Sequence, residues 1–499
     1  MARDWQAAKV SELSEPKRAF REPLLTLSEP PLQPLALLCS HYTTMISTAR
    51  KIAYEVLRRV EAEGAYASDV LHSELGAHVK AEDAGLATEL VMGVLRWRRL
   101  LDFLLERQLK KPVARLDLPV ALALRIGLYQ LRFLKRIPAR AAVNESVELV
   151  KNARKTSAAT LVNAVLRRAA NDARVHAAKF VPPDAPIAER LGILHSHPTW
   201  MVERWLKRLD EQQTIALLEA NNRAPRLSCA LHDIARRDEI FTTLQHAGLR
   251  IEPGNILQSA FAVSGGSPTR TESFRTGAIS IQDEASQTVP LLLDAQSGDR
   301  VLDLCAAPGG KTPPLVRTAG AKGVVIAADR HAHRLRAMRE QFKRLGLAHV
   351  RLVELDAASP LPFGILFQRI LVDVPCSGTG TLARHPEIRW RLNLEQLAEF
   401  HALQTSLLRS ALRQLAPGGR LVYSTCSMEP EENEQVVVET LRSIAGFQHD
   451  GGSEVARGLS DKLVPGCDAA SMFDCDGYFR TTPAALEADG FFAAVISRT

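Results

Sequence analysis

The sequence predicts a multidomain chain: an amino-terminal all-α bundle, a small α+β module, and a carboxy-terminal α/β domain on a doubly wound parallel sheet. Three observations carry that expectation. From about residue 47 to 175, apolar residues recur at helical spacing in segment after segment. From residue 298 onward, five short, nearly continuous apolar runs alternate with helical stretches, as expected of strands buried on both faces. The 499 residues are also too many for one hydrophobic core.

Residues 1–44 are rich in Pro, Ser and Glu without a sustained period and read as a disordered extension. Met45, a candidate translation start, precedes "ISTARKIAYEVLRRVEAEG", where Ser47 or Thr48 is placed to cap a helix. Ile52, Val56, Leu57 and Val60 share one face of it. "LATELVMGVLRWRRLLDFLLERQL", "LPVALALRIGLYQLRFL", "AAVNESVELVKNA" and "TSAATLVNAVLRRAA" continue the series, with breaks at Gly64, Pro112, Pro119 and Pro138. Residues 45–178 are therefore assigned to the helical bundle. The stretch 180–200, with "VPPDAP" and "HSHPTW", reads as a linker.

Residues 196–290 form the α+β module, with helices expected over 200–209 and 211–221 and strand-like pieces "RLSCAL" and "GAISIQDEAS". The remaining 291–499 make the α/β domain. Its strands are "RVLDLCA", "GVVIAAD", "VRLVELD", "RILVDVP" and "RLVYSTC". Helices are expected at "HRLRAMREQFKRLG" and "LAEFHALQTSLLRSALRQL", and a last strand pair at "GYFRTTP" and "GFFAAVISR".

Bulk properties narrow the function. No run approaches the roughly 18 apolar residues of a membrane helix, so no membrane is expected. "PLALLC" (34–39) is too short for a signal peptide. Seven cysteines without a CxxC pair argue against a metal site or disulfide framework and for a reducing, cytoplasmic setting. Residues 45–175 hold 23 Lys and Arg against 14 Asp and Glu, a net of +9, whereas 176–499 carry −2. Such localised charge suits a phosphate-rich partner. Arg96, Arg98, Arg99, Lys110 and Lys111 surround Trp97, a ring that could stack on a base, although Trp in this pattern more often belongs to a core.

The candidate chemistry falls at strand ends. Asp303 and "CAAPGGKT" follow the first run, Asp329, Asp356 and Asp373 the next three, and Cys426 the fifth. One rim then gathers four carboxylates and three cysteines, Cys305, Cys376 and Cys426, where open α/β sheets bind ligands. "CAAPGGKT" lacks the first glycine of a phosphate-binding P-loop, that position being Cys305, and lacks the G-x-G-x-x-G of a dinucleotide loop. A glycine turn with Asp329 one strand later still suits a ribose, and Asp356 an adenine amine. An adenosine without phosphate points to S-adenosylmethionine. Acids that merely cap the following helices explain one or two of them but not the series.

Carbon 5 of a pyrimidine is too weak a nucleophile to take a methyl group unaided. A thiolate added at carbon 6 activates it. Cys376 in "LVDVPCSGTG" and Cys426 in "LVYSTCSMEP" lie in polar turns and are the candidate thiols, whereas Cys305 reads as a small apolar residue. Asp373 is placed to hydrogen-bond the base edge. Spacing alone leaves open which thiol attacks.

"LDLCAAPGGKT", "VDVPCSGTG" with "LARHPEIRWR", and "YSTCSMEPEENE" together resemble the RNA cytosine-5 methyltransferases of the NOL/NOP/Sun (Fmu) class, and residues 47–175 resemble a NusB-type RNA-binding domain. The resemblance implies a Rossmann-like, S-adenosyl-L-methionine-dependent methyltransferase acting on 16S ribosomal RNA, on a cytosine of the position-967 class, as a monomer without metal. It implies that Cys426 is the nucleophile, that Cys376 assists product release, and that Asp373 and Lys311 assist catalysis. The implied cofactor site is Cys305, Ala306, Ala307, Pro308, Gly309, Gly310 and Lys311, with Asp329, Arg334, Asp356 and Asp373. The small module is implied to bind RNA. A transfer RNA substrate fits the NusB-like segment less well, and a DNA methyltransferase would show an "ENV" triplet that is missing here.

Overall fold

The structure, a computed structural model, describes residues 46–76, 79–172, 175–347 and 349–499. The expected extension 1–44 and Met45 lie outside the described residues. The three-part architecture is as the pattern predicts. Helices Thr48–Glu63, Ala67–Glu74, Ala81–Arg96, Arg98–Leu109, Leu118–Phe133, Ala139–Asn152 and Ala159–Asp172 pack around one apolar core that includes Val56, Leu57, Leu90, Leu101, Leu122 and Leu166. Gly64 ends the first helix in the left-handed conformation (φ 68°), as its lack of a Cβ permits.

Three local expectations change. Ser47 precedes the first helix without capping it: its N–H donates to Glu145 (2.9 Å) and its Oγ accepts from Arg50 (2.9 Å). The long pattern through "VLRWRR" is two helices broken at Trp97, whose ring stacks on Phe133 (5.1 Å) against the core. The expected linker contains a helix, Ile187–Leu194, that buries Ala188, Leu191 and Ile193; the flanking prolines mark its ends.

The module is an antiparallel sheet of β1 (Leu227–Leu231), β2 (Arg250–Pro253), β3 (Ala260–Ser264) and β4 (Ile279–Ile281), in the order β2-β3-β1-β4. Its two leading helices run Thr199–Leu206 and Glu211–Asn222.

The α/β sheet contains β5 (Arg300–Leu304), β6 (Val324–Asp329), β7 (Arg351–Glu354), β8 (Phe367–Asp373), β9 (Leu415–Thr425), β10 (Phe447–His449), β11 (Phe479–Thr481) and β12 (Phe491–Arg498). The order is β10-β12-β9-β8-β5-β6-β7, with β11 also on β12. β5 to β9 run parallel, and β12 lies antiparallel to β9. Alternate residues serve opposite faces: Val301, Leu371 and Val422 pack in one cluster, Leu302, Ile370 and Leu421 in another. Both faces are therefore covered, which explains the uninterrupted apolar runs.

The segment after the Cys376 loop locks the α/β domain to the bundle. Glu387 accepts from the Ala67 N–H (3.0 Å), Trp390 donates to the Leu95 carbonyl (2.7 Å), and Arg96 reaches back to the Ala383 carbonyl (2.9 Å). Arg389, 1% exposed, donates to the carbonyls of Arg96 and Ser196 (3.1 Å each) and Asn221 (2.7 Å) and to the Asn222 side chain (2.8 Å). Arg98 stands over the Trp390 ring, and Arg99 donates to Thr199 (2.7 Å). Part of the expected nucleic-acid surface is thus a domain junction: Arg96, Arg98 and Arg99 bind protein, while Lys110 and Lys111 remain exposed. Arg389→Leu should cost about 3 kcal/mol, because it strands several buried acceptors. The check is a lowered midpoint in denaturant.

Candidate active site

β5 and β8 are neighbours although β6 and β7 come between them in sequence. At such a switch point the loops after the two strands part and leave a crevice. A cavity of about 310 Å³ lies there, lined by Cys305, Ala307, Asp329, Arg334, Asp356 and Asp373 among the expected residues.

Two of these carboxylates also order their own loops. Asp329 accepts from the N–H groups of His331 (2.9 Å) and Ala307 (3.3 Å), tying the glycine loop to the end of β6. Asp356 accepts from the Ala358 N–H (3.1 Å). Turn-making and cavity-lining therefore coincide in the same side chains. Leu403 and Leu407, one turn apart on helix Leu394–Gln414, supply an apolar wall.

The remaining loop residues shape the turn rather than line the cavity. The Ala306 N–H donates to the Ala328 carbonyl (2.8 Å), and the Gly309 N–H to Ala306 (2.7 Å). Pro308 is exposed. Gly309 has φ 94°, and a Cβ there would sit 3.1 Å from Met338 and Phe342, so only glycine fits. A Cβ on Gly310 would press on Gln282 at 3.2 Å. Burial, then the nearby Asp329 and Asp373, push the Cys305 thiol up, which suits a wall residue and not a nucleophile.

Lys311 turns to the other side of the rim. Its Nζ donates to Asp373 Oδ2 (2.7 Å), and Ser424 Oγ donates to Asp373 Oδ1 (2.7 Å). Burial alone would lower the Lys311 ammonium; the Asp373 carboxylate overrides it and raises it, so the cation is kept. Asp303 departs from the expected rim. It is buried against Thr312 Oγ1 (2.7 Å), and burial pushes it up to about 7. It holds the start of helix Thr312–Ala319 instead of lining the cavity.

The two cysteines meet. Cys376 Sγ and Cys426 Sγ lie 3.3 Å apart, both free and half-buried. Backbone bonds hold their loops together, from the Gly380 N–H to the Cys426 carbonyl (2.9 Å) and from the Val374 N–H to Ser424 (3.0 Å). A Cβ on Gly380 would collide with the Gly490 carbonyl in the turn before β12, so the packing of the Cys376 loop on that turn needs glycine. The hydrogen bond with Cys426, then burial, push the Cys376 thiol well up, so Cys376 keeps its proton.

Sequence reasoning missed Ala328, Arg330, His331, Leu355, Ala357, Val374, Pro375, Leu403 and Leu407, which complete the cavity wall. Arg330 and His331 directly follow Asp329 and could have been found from it. The two leucines look like any core pair on a helix. Ser424, two residues before Cys426, carried a signal in its motif.

Comparisons with known proteins match all three parts of the chain. The family model for 16S rRNA methyltransferase RsmB/F matches residues 290–497, the NusB family 47–171, and the ferredoxin-like domain of RsmF/B-like methyltransferases 197–270. A probable ribosomal RNA small subunit methyltransferase B of Bacillus subtilis (strain 168) is 32% identical over 450 residues, covering 89% of this chain and 98% of its own. Ribosomal RNA small subunit methyltransferase B of Pseudomonas syringae pv. tomato is 37% identical over 372 residues, 74% of this chain and 81% of its own. The crystal structure of PH0851 superposes with a TM-score of 0.74 at 23% identity, covering 91% of this chain and all of that one, and so shares the fold. Among the described residues no helix is long and apolar enough to cross a membrane. With its bundle, module and two-cysteine α/β domain all matched, the chain belongs to the RsmB/F family of 16S rRNA methyltransferases.

Proposed function

We propose that the protein methylates carbon 5 of a cytosine in 16S ribosomal RNA, of the position-967 class, with S-adenosylmethionine as donor and Cys426 as nucleophile. The observation that carries this reading is the Cys376–Cys426 pair, 3.3 Å apart on the rim that also holds the Lys311–Asp373–Ser424 network.

The cavity residues fit the donor. Asp329 and Asp356 offer acceptors for hydroxyl and amine groups, Leu403 and Leu407 an apolar wall for a flat ring, and the acids complement a cation. When bound, S-adenosylmethionine supplies an electrophilic methyl group. Everything else falls to this chain's own side chains. The Cys426 thiolate adds to carbon 6, which makes carbon 5 nucleophilic. Asp373, fixed through both oxygens by Lys311 and Ser424, acts as an acceptor facing a protonated ring nitrogen or the exocyclic amine. After methyl transfer water takes the carbon 5 proton, the pair it leaves forms the carbon 5–carbon 6 double bond, the carbon 6–sulfur bond breaks, and the Cys426 sulfur departs with that bonding pair. Cys376, still protonated, can give its proton to that sulfur. The target cytosine must be unpaired or flipped out to be reached. The exposed Lys110, Lys111, Arg115, Lys135, Arg136, Arg140, Arg167 and Arg168 of the bundle are the cations offered to phosphates.

The test is methyl transfer in vitro to 16S ribosomal RNA, with the modified nucleotide mapped. A 5-methylcytosine at one position supports the reading; label on another base or atom overturns it. Asp329→Ala should weaken S-adenosylmethionine binding about 10- to 100-fold by calorimetry, the equivalent of one or two hydrogen bonds to a charged group.

A further inference from the structure

Two thiols carried on loops 50 residues apart in sequence need something to hold them in contact. Backbone bonds set the general approach, but the residues directly after the cysteines share a side-chain partner. The Glu432 carboxylate, 0% exposed, accepts from the Ser377 N–H (2.8 Å) and the Gln404 amide (3.0 Å) on one oxygen. Its other oxygen accepts from the hydroxyls of both Ser377 and Ser427. Ser377 follows Cys376 and Ser427 follows Cys426. Gln404 in addition donates to the carbonyl of Pro375, the residue before Cys376 (3.0 Å). Glu432 is itself fixed, because Tyr423 Oη donates to its backbone carbonyl (2.6 Å). Its side-chain donors are all neutral, and it lines no part of the cavity. A buried carboxylate bound only by neutral donors is costly, and its four donors all come from the two cysteine loops and the helix behind them.

We propose that Glu432 is the positioning residue of the thiol pair: by clamping the residues that follow Cys376 and Cys426, its carboxylate sets the separation of the two sulfurs. The proposal rests on the two-thiol reading above for its consequence in catalysis, but the spacing it sets can be read without catalysis. Diamide takes two electrons and two protons from an adjacent thiol pair to form a disulfide, so its rate in the free enzyme reports how often the sulfurs meet.

The variants are Glu432→Ala, Glu432→Gln, which keeps one acceptor oxygen, and Ser427→Ala, which removes a single donor. In Glu432→Ala, diamide-driven Cys376–Cys426 pairing, followed by mass spectrometry, should slow and kcat should fall about 10²-fold, the cost of misplacing a reacting group by about 1 Å. KM for RNA and binding of S-adenosylmethionine should stay within about twofold, since the Glu432 side chain itself lines no part of the cavity and meets none of the bundle's exposed cations. Glu432→Gln should recover part of both rates. If Glu432→Ala does not fold, Ser427→Ala and Glu432→Gln carry the same comparison. Unchanged pairing in a folded variant overturns the proposal, as does a loss of cofactor binding in step with kcat. Slowed pairing with unchanged kcat upholds the clamp and sinks the two-thiol chemistry instead.

Discussion

Cys426→Ala should reduce methyl transfer to background while leaving the fold and cofactor binding intact. Without the Cys426 sulfur to add at carbon 6, carbon 5 never becomes nucleophilic, and the two nearby thiols do not replace it: burial pushes up both Cys376, the adjacent thiol, and Cys305, in the wall of the cavity. Removal of a covalent nucleophile costs on the order of 10⁴-fold or more in kcat. The side chain is half-buried and small, so alanine should be tolerated with little loss of stability. The check is label transfer to 16S ribosomal RNA beside calorimetry with S-adenosylmethionine. Activity above a tenth of wild type would remove Cys426 from its role.

Cys376→Ala should behave differently. Addition and methyl transfer still proceed, but the group that returns a proton to the departing sulfur is gone. The enzyme should stall as a protein–RNA adduct that survives denaturing electrophoresis, with turnover down about 10²- to 10⁴-fold, the usual range for loss of a general acid. The opposite pattern, with the adduct in Cys426→Ala, would exchange the two roles. The resemblance to the two-cysteine methyltransferases gives this assignment, and a Cys376 thiol pushed up by its hydrogen bond with Cys426 and by burial fits it.

Much of this was legible in the residues. The five parallel strands were readable because a sheet covered on both faces needs continuous apolar runs, and β5 to β8 fall within a few residues of "RVLDLCA" through "RILVDVP". Asp329, Asp356 and Asp373 were readable because a strand end followed by a turn favours an acid, and the same acids line the cavity. Asp303 misled, since an acid inside a strand and one just beyond it look alike in sequence. The Arg96–Arg99 cluster misled for a related reason: composition records a cation but not whether it meets phosphate or a carbonyl of Ala383 or His197. Helix Ile187–Leu194 was hidden between prolines that act as its punctuation. The approach of Cys376 to Cys426 and the convergence of four donors on Glu432 depend on β8 and β9 being neighbours, a long-range fact that local pattern does not contain.

The account stands on Cys426 being the sulfur that bonds to the pyrimidine. The most direct measurement is to trap the Cys376→Ala adduct on 16S ribosomal RNA, digest both protein and RNA, and locate the nucleotide by mass spectrometry. A methylated cytidine attached to the peptide containing Thr425, Cys426 and Ser427 is the predicted result. Attachment at any other residue, or a free protein after full methyl transfer, would contradict it.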